Sequence, residues 1–131
     1  VLTPNKRYAV RRTSHDGAVW DGVAVVVESE PVLRVKETGV WKLANGKTMP
    51  GEQALALSEG LLEVIHGFAV HTYTLRAVVG EEWFWRGDYT CGDDDYHVAC
   101  TKPTAGGWKL RFDVAGPSKN AWQVVEYRQQ G

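Results

Sequence analysis

The sequence predicts an all-β protein, a single antiparallel up-and-down barrel of about eight to ten strands. Three observations predict it. Trp108–Val114 alternates apolar and polar residues without a slip, breaks at Ala115-Gly116-Pro117 and resumes at Trp122–Arg128. Period-two alternation on both sides of a Gly-Pro turn marks two antiparallel strands, each with one buried face. Strand-like segments of this kind recur along the chain with turn signals between them, and no convincing long helix interrupts them. An antiparallel meander that long closes on itself, because an open sheet would leave two unpaired edges. With large aromatics assigned to the buried faces, the interior is expected to be lined by Trp.

Lys6–Thr13 reads as the first strand and ends at Ser14-His15-Asp16-Gly17, a hairpin signal of the Asp-Gly type. Ala18–Ser29 follows, with Val23, Val25 and Val27 on one face and Trp20, Ala24 and Val26 on the other, until Glu30-Pro31 stops it. Leu33–Leu43 puts Leu33, Val35, Glu37, Gly39, Trp41 and Leu43 on one face and Arg34, Lys36, Thr38, Val40 and Lys42 on the opposite one. Ala44-Asn45-Gly46-Lys47 is a tight turn, since Asn-Gly tolerates the positive φ angles of a type I′ hairpin. Met49–Ile65 is ambiguous: Ala54, Leu57, Leu61 and Ile65 fall near helical spacing, and Pro50 suits a first helical turn. Ser58-Glu59-Gly60 reads better as a turn between strands Gln53–Leu57 and Leu61–His66, so strands are expected. Phe68–Val79, Glu82–Thr90 and Tyr96–Thr101 complete the series before the pair at 108–128, with loops at Gly92–Asp95 and Lys102–Gly107.

Composition narrows the partners. A chain of 131 residues is expected to form one domain, 1–131, large enough for a core without staples. The net charge is −1 and the 15 basic residues are scattered, so the basic footprint that nucleic acid or anionic lipid requires is missing. No apolar run approaches the ~20 residues of a membrane span. Cys91 and Cys100 are too few for a disulfide framework. They are read as free thiols in a reducing cytoplasm, with pairing across neighbouring strands as the alternative in an oxidising compartment. No leader is recognisable, and a start at Val1 leaves a processed terminus open. The departure from average is aromatic, with 6 Trp, 5 Tyr and 3 Phe. These residues serve either a solid core or the wall of a cavity.

Three short patterns occur in order: Val35-Lys36-Glu37-Thr38-Gly39, Cys91-Gly92-Asp93-Asp94-Asp95-Tyr96, and Gly116-Pro117-Ser118-Lys119-Asn120 between two Trp-bearing strands. Together they resemble a family of small bacterial and protist proteins known only as a domain of unknown function, with calycin-type barrel character like lipocalins and fatty-acid-binding proteins. The resemblance runs from about Tyr8 to Arg128 and is strongest after residue 85. It implies a barrel, favours strands over Met49–Ile65 and brings no activity with it. Two positions depart from the pattern: Thr90 stands where a histidine is expected before the cysteine, and Tyr8 where a tryptophan is expected. No role of that histidine carries over.

Glu37 is the leading candidate for chemistry. Its strand-mates Val35, Trp41 and Leu43 are apolar, so alternation aims a carboxylate at the interior. Such a group needs a partner or its pKa rises. Arg12, in phase with Tyr8 and Val10, and Arg128, in phase with Trp122 and Val124, are the candidate partners. The pair either fixes closure of the barrel or anchors a ligand. Trp41, Trp85, Trp108, Trp122 and Tyr96 are expected to help line the site, while Trp20 is among those that alternation leaves free to lie outside.

No metal site is expected: Cys91, His97 and Cys100 match no zinc spacing, and Asp93–Asp95 lacks the pattern of a calcium loop. No cofactor is expected either, although haem on His66 or His71 stays open. The leading functional reading is a cytoplasmic barrel that binds a small hydrophobic or amphipathic molecule. It has no nucleic-acid partner and no membrane span, and the oligomeric state is open. One alternative is a cofactor-independent isomerase, cyclase or lyase using Glu37, Tyr96 or a histidine as acid or base. The other is a protein-interaction module with a filled core.

Overall fold

In the computed structural model, residues 2–79 and 82–130 are described. Ten strands follow one another: β1 (Arg7–Ser14), β2 (Val19–Glu28), β3 (Leu33–Lys42), β4 (Thr48–Ser58), β5 (Leu61–His66), β6 (Ala69–Ala77), β7 (Trp85–Cys91), β8 (Asp94–Cys100), β9 (Gly107–Ala115) and β10 (Asn120–Gln129). Each pairs antiparallel with the next, and β10 returns to β1 to close the barrel. The closing register places Val10 opposite Tyr127 and Arg12 opposite Val125. Met49–Ile65, the ambiguous stretch, falls within β4 and β5, and β4 begins as early as Thr48. Pairing with β3 from Leu33 opposite Leu57 to Lys42 opposite Thr48 decides against a helix there.

Topology puts the turns β1–β2, β3–β4, β5–β6, β7–β8 and β9–β10 at one end of the barrel and the start of β1 and end of β10 at the other. The Asn45-Gly46 turn forms as its residues require: Gly46 takes φ 87, and the Lys47 amide donates to Asn45 Oδ1 at 3.0 Å. In β2 a register shift between Val26 and Glu28 turns Val27 out to solvent and bends the strand over the core.

The inward faces of β1, β2 and β3 are those alternation assigns, with Tyr8, Val10, Arg12, Ala24, Val26, Val35 and Glu37 buried. Trp20, which alternation leaves free to lie on either side, lies inside and is 2% exposed. Its indole crosses Gly22 and Gly39, which face each other on β2 and β3. A Cβ at Gly22 would stand 2.5 Å from Trp20 Cη2 and one at Gly39 would stand 2.6 Å from Cζ2, so only hydrogen leaves room for the ring.

Strand β10 departs from the expectation that Trp122 and Arg128 face the interior. Val125 and Tyr127 face the core, while Trp122 and Arg128 face outward. Both faces of this strand carry apolar residues, and pairing with β1 and β9 selects the one that holds Tyr127. Tyr8, Trp108 and Tyr127 then form an aromatic layer across the interior. Trp108 stacks on Tyr127 at 4.3 Å between centroids and meets Tyr8 edge-on at 5.0 Å. Cys91 and Cys100 sit at opposite ends of the β7–β8 hairpin, opposite Asp94 and Trp85, and both are free thiols. No helix among the described residues is long and apolar enough to cross a membrane.

Candidate functional site

Arg12 projects from the middle of β1 into the barrel and is 2% exposed. Its Nη2 donates to Glu37 Oε1, and the Tyr127 hydroxyl donates to Glu37 Oε2, so both carboxylate oxygens are held. Burial by itself would lower the pKa of the guanidinium. Glu37 opposes that effect, and the balance lies above the ordinary arginine value. Tyr127, fully enclosed and beside the carboxylate, is held neutral by burial first and Glu37 second. A buried ion pair with this many hydrogen bonds meets the condition under which charge is tolerated in a core.

Two amides complete the cluster. Arg12 Nη1 donates to Gln123 Oε1 at 3.3 Å, and Gln123 Nε2 donates to Ser14 Oγ at 3.2 Å. On the other side the amide of Gln53 turns its oxygen to Arg12 Nη1 at 3.0 Å and its nitrogen to His66 Nδ1, also at 3.0 Å. A guanidinium only donates, so both amides must present oxygen to it and carry their N–H groups away. The Arg12 guanidinium also lies over the Trp20 ring, 5.3 Å from the centroid.

Above this floor a cavity of about 290 Å³ opens at the end that carries the β1–β2, β5–β6 and β9–β10 turns. Arg12 and Gln123 form its base, and Tyr73, Tyr96 and Phe112 one wall. Tyr96 stacks on Tyr89 at 4.6 Å and 10°, Tyr73 meets Tyr89 edge-on and Phe112 lies tilted against Tyr73, so the rings of that wall support one another. Val64, Val114 and Ala121 supply apolar surface. His66, on β5, and His71, on β6, stand on the two arms of one hairpin, 6.3 Å apart between ring centres. His71 Nδ1 is engaged by the Tyr89 hydroxyl. Burial lowers the pKa of His66, with Arg12 and His71 acting in the same direction, so its ring is neutral at physiological pH.

The residues expected at the site separate into groups. Arg12 and Tyr96 line the cavity, and Glu37 lies beneath its floor. Trp122 stands at the lip, 38% exposed, with Arg111 over its ring at 5.3 Å. Trp108 belongs to the aromatic layer and Trp41 packs half-buried against the core, away from the cavity. Trp85 lines a separate hollow at the opposite end. Arg128 is not a partner of Glu37: it points outward from β10 and donates to Glu126 at 3.0 Å. The sequence reading does not single out Gln53, Gln123, Tyr73 or Phe112 for the site, and it names His66 and His71 individually only as haem ligands. Alternation held the signal, since His66 is in phase with Leu62 and Val64, and His71 with Tyr73 and Leu75. Among the described residues no group of three or more His, Cys, Asp or Glu side chains is placed to hold a metal.

A model of a family of unknown function, DUF6314, matches residues 5–129. The chain belongs to that family. No curated protein matches it. Among solved structures it is similar to a de novo designed fluorescence-activating β-barrel, at 15% identity over 98% of this chain and 94% of that one, with a TM-score of 0.51. It is also similar to EF1p2_mFAP2b bound to DFHBI, at 12% identity over 97% and 93% of the two chains, with a TM-score of 0.50. At these identities the likeness is one of fold, and it agrees with the closed all-β barrel.

Proposed function

We propose that this protein binds a small, mostly apolar molecule in the cavity above Arg12, with the calycin-like division of an apolar wall and a few polar anchors. The observation that carries the reading is a hollow of about 290 Å³ whose base is a buried and almost fully hydrogen-bonded charge cluster. Side chains do not fill this end of the barrel. Ligand sites have this composition, aromatic and aliphatic walls with a small number of fixed polar groups. The designed barrels that share the fold, one named as fluorescence-activating and one bound to DFHBI, offer an architectural precedent for a ligand inside such a barrel. Glu37 has both oxygens occupied below the floor, which favours a structural and positioning role for it over acid–base catalysis. A reducing, cytoplasmic setting belongs to the same proposal, supported by two thiols too far apart along the β7–β8 hairpin to pair.

Native mass spectrometry of protein purified without added ligand, beside Trp fluorescence in a metabolite and fatty-acid screen, tests the reading. The expected result is a co-purifying mass, or saturable quenching, that is lost in Ala121→Trp, which fills the cavity from its wall. Absence of both signals across the screen, or an adduct unchanged in Ala121→Trp, would overturn it.

A further inference from the structure

The geometry points to a hydrogen-bond acceptor on the ligand: we propose that the cavity selects planar aromatic molecules bearing a carbonyl or carboxylate oxygen, which accepts a hydrogen bond from Nε2–H of His66. This inference rests on the cavity being a ligand site and adds the ligand's chemical class. It follows from the direction in which hydrogen bonds run out of the buried ion pair. Glu37 holds Arg12, and Arg12 has only donors to offer. Gln53 must therefore turn its oxygen toward Arg12, which sends its amide N–H to His66 Nδ1 at 3.0 Å. A ring nitrogen that accepts cannot carry the proton, so the neutral imidazole of His66 is protonated at Nε2. No described residue takes that N–H. The ring lines the cavity, so its free donor is available to whatever occupies the space.

The rest of the cavity agrees with this polarity. The wall of Tyr73, Tyr96 and Phe112 offers aromatic contact for a planar ring, with Tyr73 and Phe112 tilted 51° to each other. The base is cationic Arg12 paired with Glu37, and the one carboxylate that lines the cavity, Asp16, is exposed in the β1–β2 turn and accepts from the Ala18 amide at 3.0 Å. Four residues on four strands thus convert a charge pair in the core into a directional donor at the mouth. Gln53 and Arg12 act as positioning residues, and His66 is the contact.

The tautomer is measurable without any ligand. Long-range proton–nitrogen NMR of the imidazoles at pH 8, above the ordinary histidine pKa of about 6.5, is expected to show His66 protonated at Nε2 and bare at Nδ1. In Gln53→Leu the ring is expected to become a mixture of tautomers. The opposite tautomer in the wild type, or no change in Gln53→Leu, would overturn the inference. Binding is then compared with 2-acetylnaphthalene and 2-ethylnaphthalene, near-isosteres that differ in one acceptor oxygen. The acetyl compound is expected to bind a few-fold to about tenfold more tightly, the net scale of one hydrogen bond formed in exchange for water. In His66→Phe, which keeps a ring at the exposed end of β5, the ratio is expected to fall to about one. Equal binding by the wild type overturns the assigned ligand class and leaves the cavity as a binding site. Binding of neither compound overturns both readings.

Discussion

The two ends of the barrel solve different problems with the same inward alternation. At the end with the β1–β2 and β9–β10 turns, the interior closes over Arg12, Glu37 and two amides, with a cavity of about 290 Å³ above them. At the end where β1 begins and β10 ends there is a larger hollow of about 510 Å³, lined by Leu33, Leu57 and Trp85, with Leu2 packed into it. Its charged groups, Glu30, Glu59 and Lys102, are exposed at the rim, and Lys102 lies over the Phe84 ring. Between them lies the aromatic layer of Tyr8, Trp108 and Tyr127. The larger hollow therefore has shape without direction. The smaller one has donors and acceptors fixed by a buried charge pair, and direction rather than volume makes it the candidate site.

The largest effect should come from breaking the charge pair. Glu37→Ala leaves Arg12 buried without its counter-charge and is expected to cost about 3–5 kcal/mol in urea denaturation. Replacing both partners, Arg12→Met with Glu37→Leu, should cost less than either single change. If the double variant is the least stable of the three, the ion pair is not what the fold tolerates at this position. Gly39→Ala comes next. Its Cβ would stand 2.4 Å from the Asp21 carbonyl and 2.6 Å from Trp20, for an expected loss of about 1–3 kcal/mol. A neutral result in thermal denaturation would mean that β2 and β3 can part without disturbing the ring.

His66 makes the cavity end sensitive to acid. Its folded pKa is lowered, chiefly by burial, so the unfolded chain takes up the proton first as pH falls. Its contribution to stability is present above about pH 6.5 and is lost as pH drops through the lower folded value. His66→Gln should flatten the stability profile below pH 6.5, while a profile identical to the wild type would remove His66 as a cause of acid sensitivity.

The thiols separate the two ends of the β7–β8 hairpin by rate. Burial raises the Cys100 thiol to about 12, whereas Cys91 is exposed. A thiol reagent at pH 8 should modify Cys91 and reach Cys100 only on unfolding. Fast modification of both would show that the β8–β9 core opens readily. The smallest effect is expected outside the barrel. The Arg111–Asp113 pair, half-exposed at 3.0 Å, should be worth about 0–1 kcal/mol in a double-mutant cycle.

Much of this was legible in the chain. Alternation with turn chemistry places ten strands, and the phase of Tyr8 and Val10 puts Arg12 inside, as that of Val35 puts Glu37 inside. Gly46 and Gly17 mark turns because both take positive φ. The choice between Arg12 and Arg128 was not legible, since each is in phase with apolar neighbours on its own strand. The placement of Trp20 was not legible either, because nothing local says that Gly22 and Gly39 will come opposite each other to receive the indole.

By itself, then, the sequence determined that the chain closes into an antiparallel barrel and that one carboxylate faces its interior. Period-two patterning divides every strand into two faces, and burying one face of each strand leaves little choice of architecture. The tertiary structure decided which face of β10 turns inward, which arginine meets Glu37, and which way the Gln53 amide points. Those choices depend on what stands across the barrel, at separations such as the 90 residues between Glu37 and Tyr127. Local alternation carries no information over that distance. Only closure brings the donor, the acceptor and the cavity wall together.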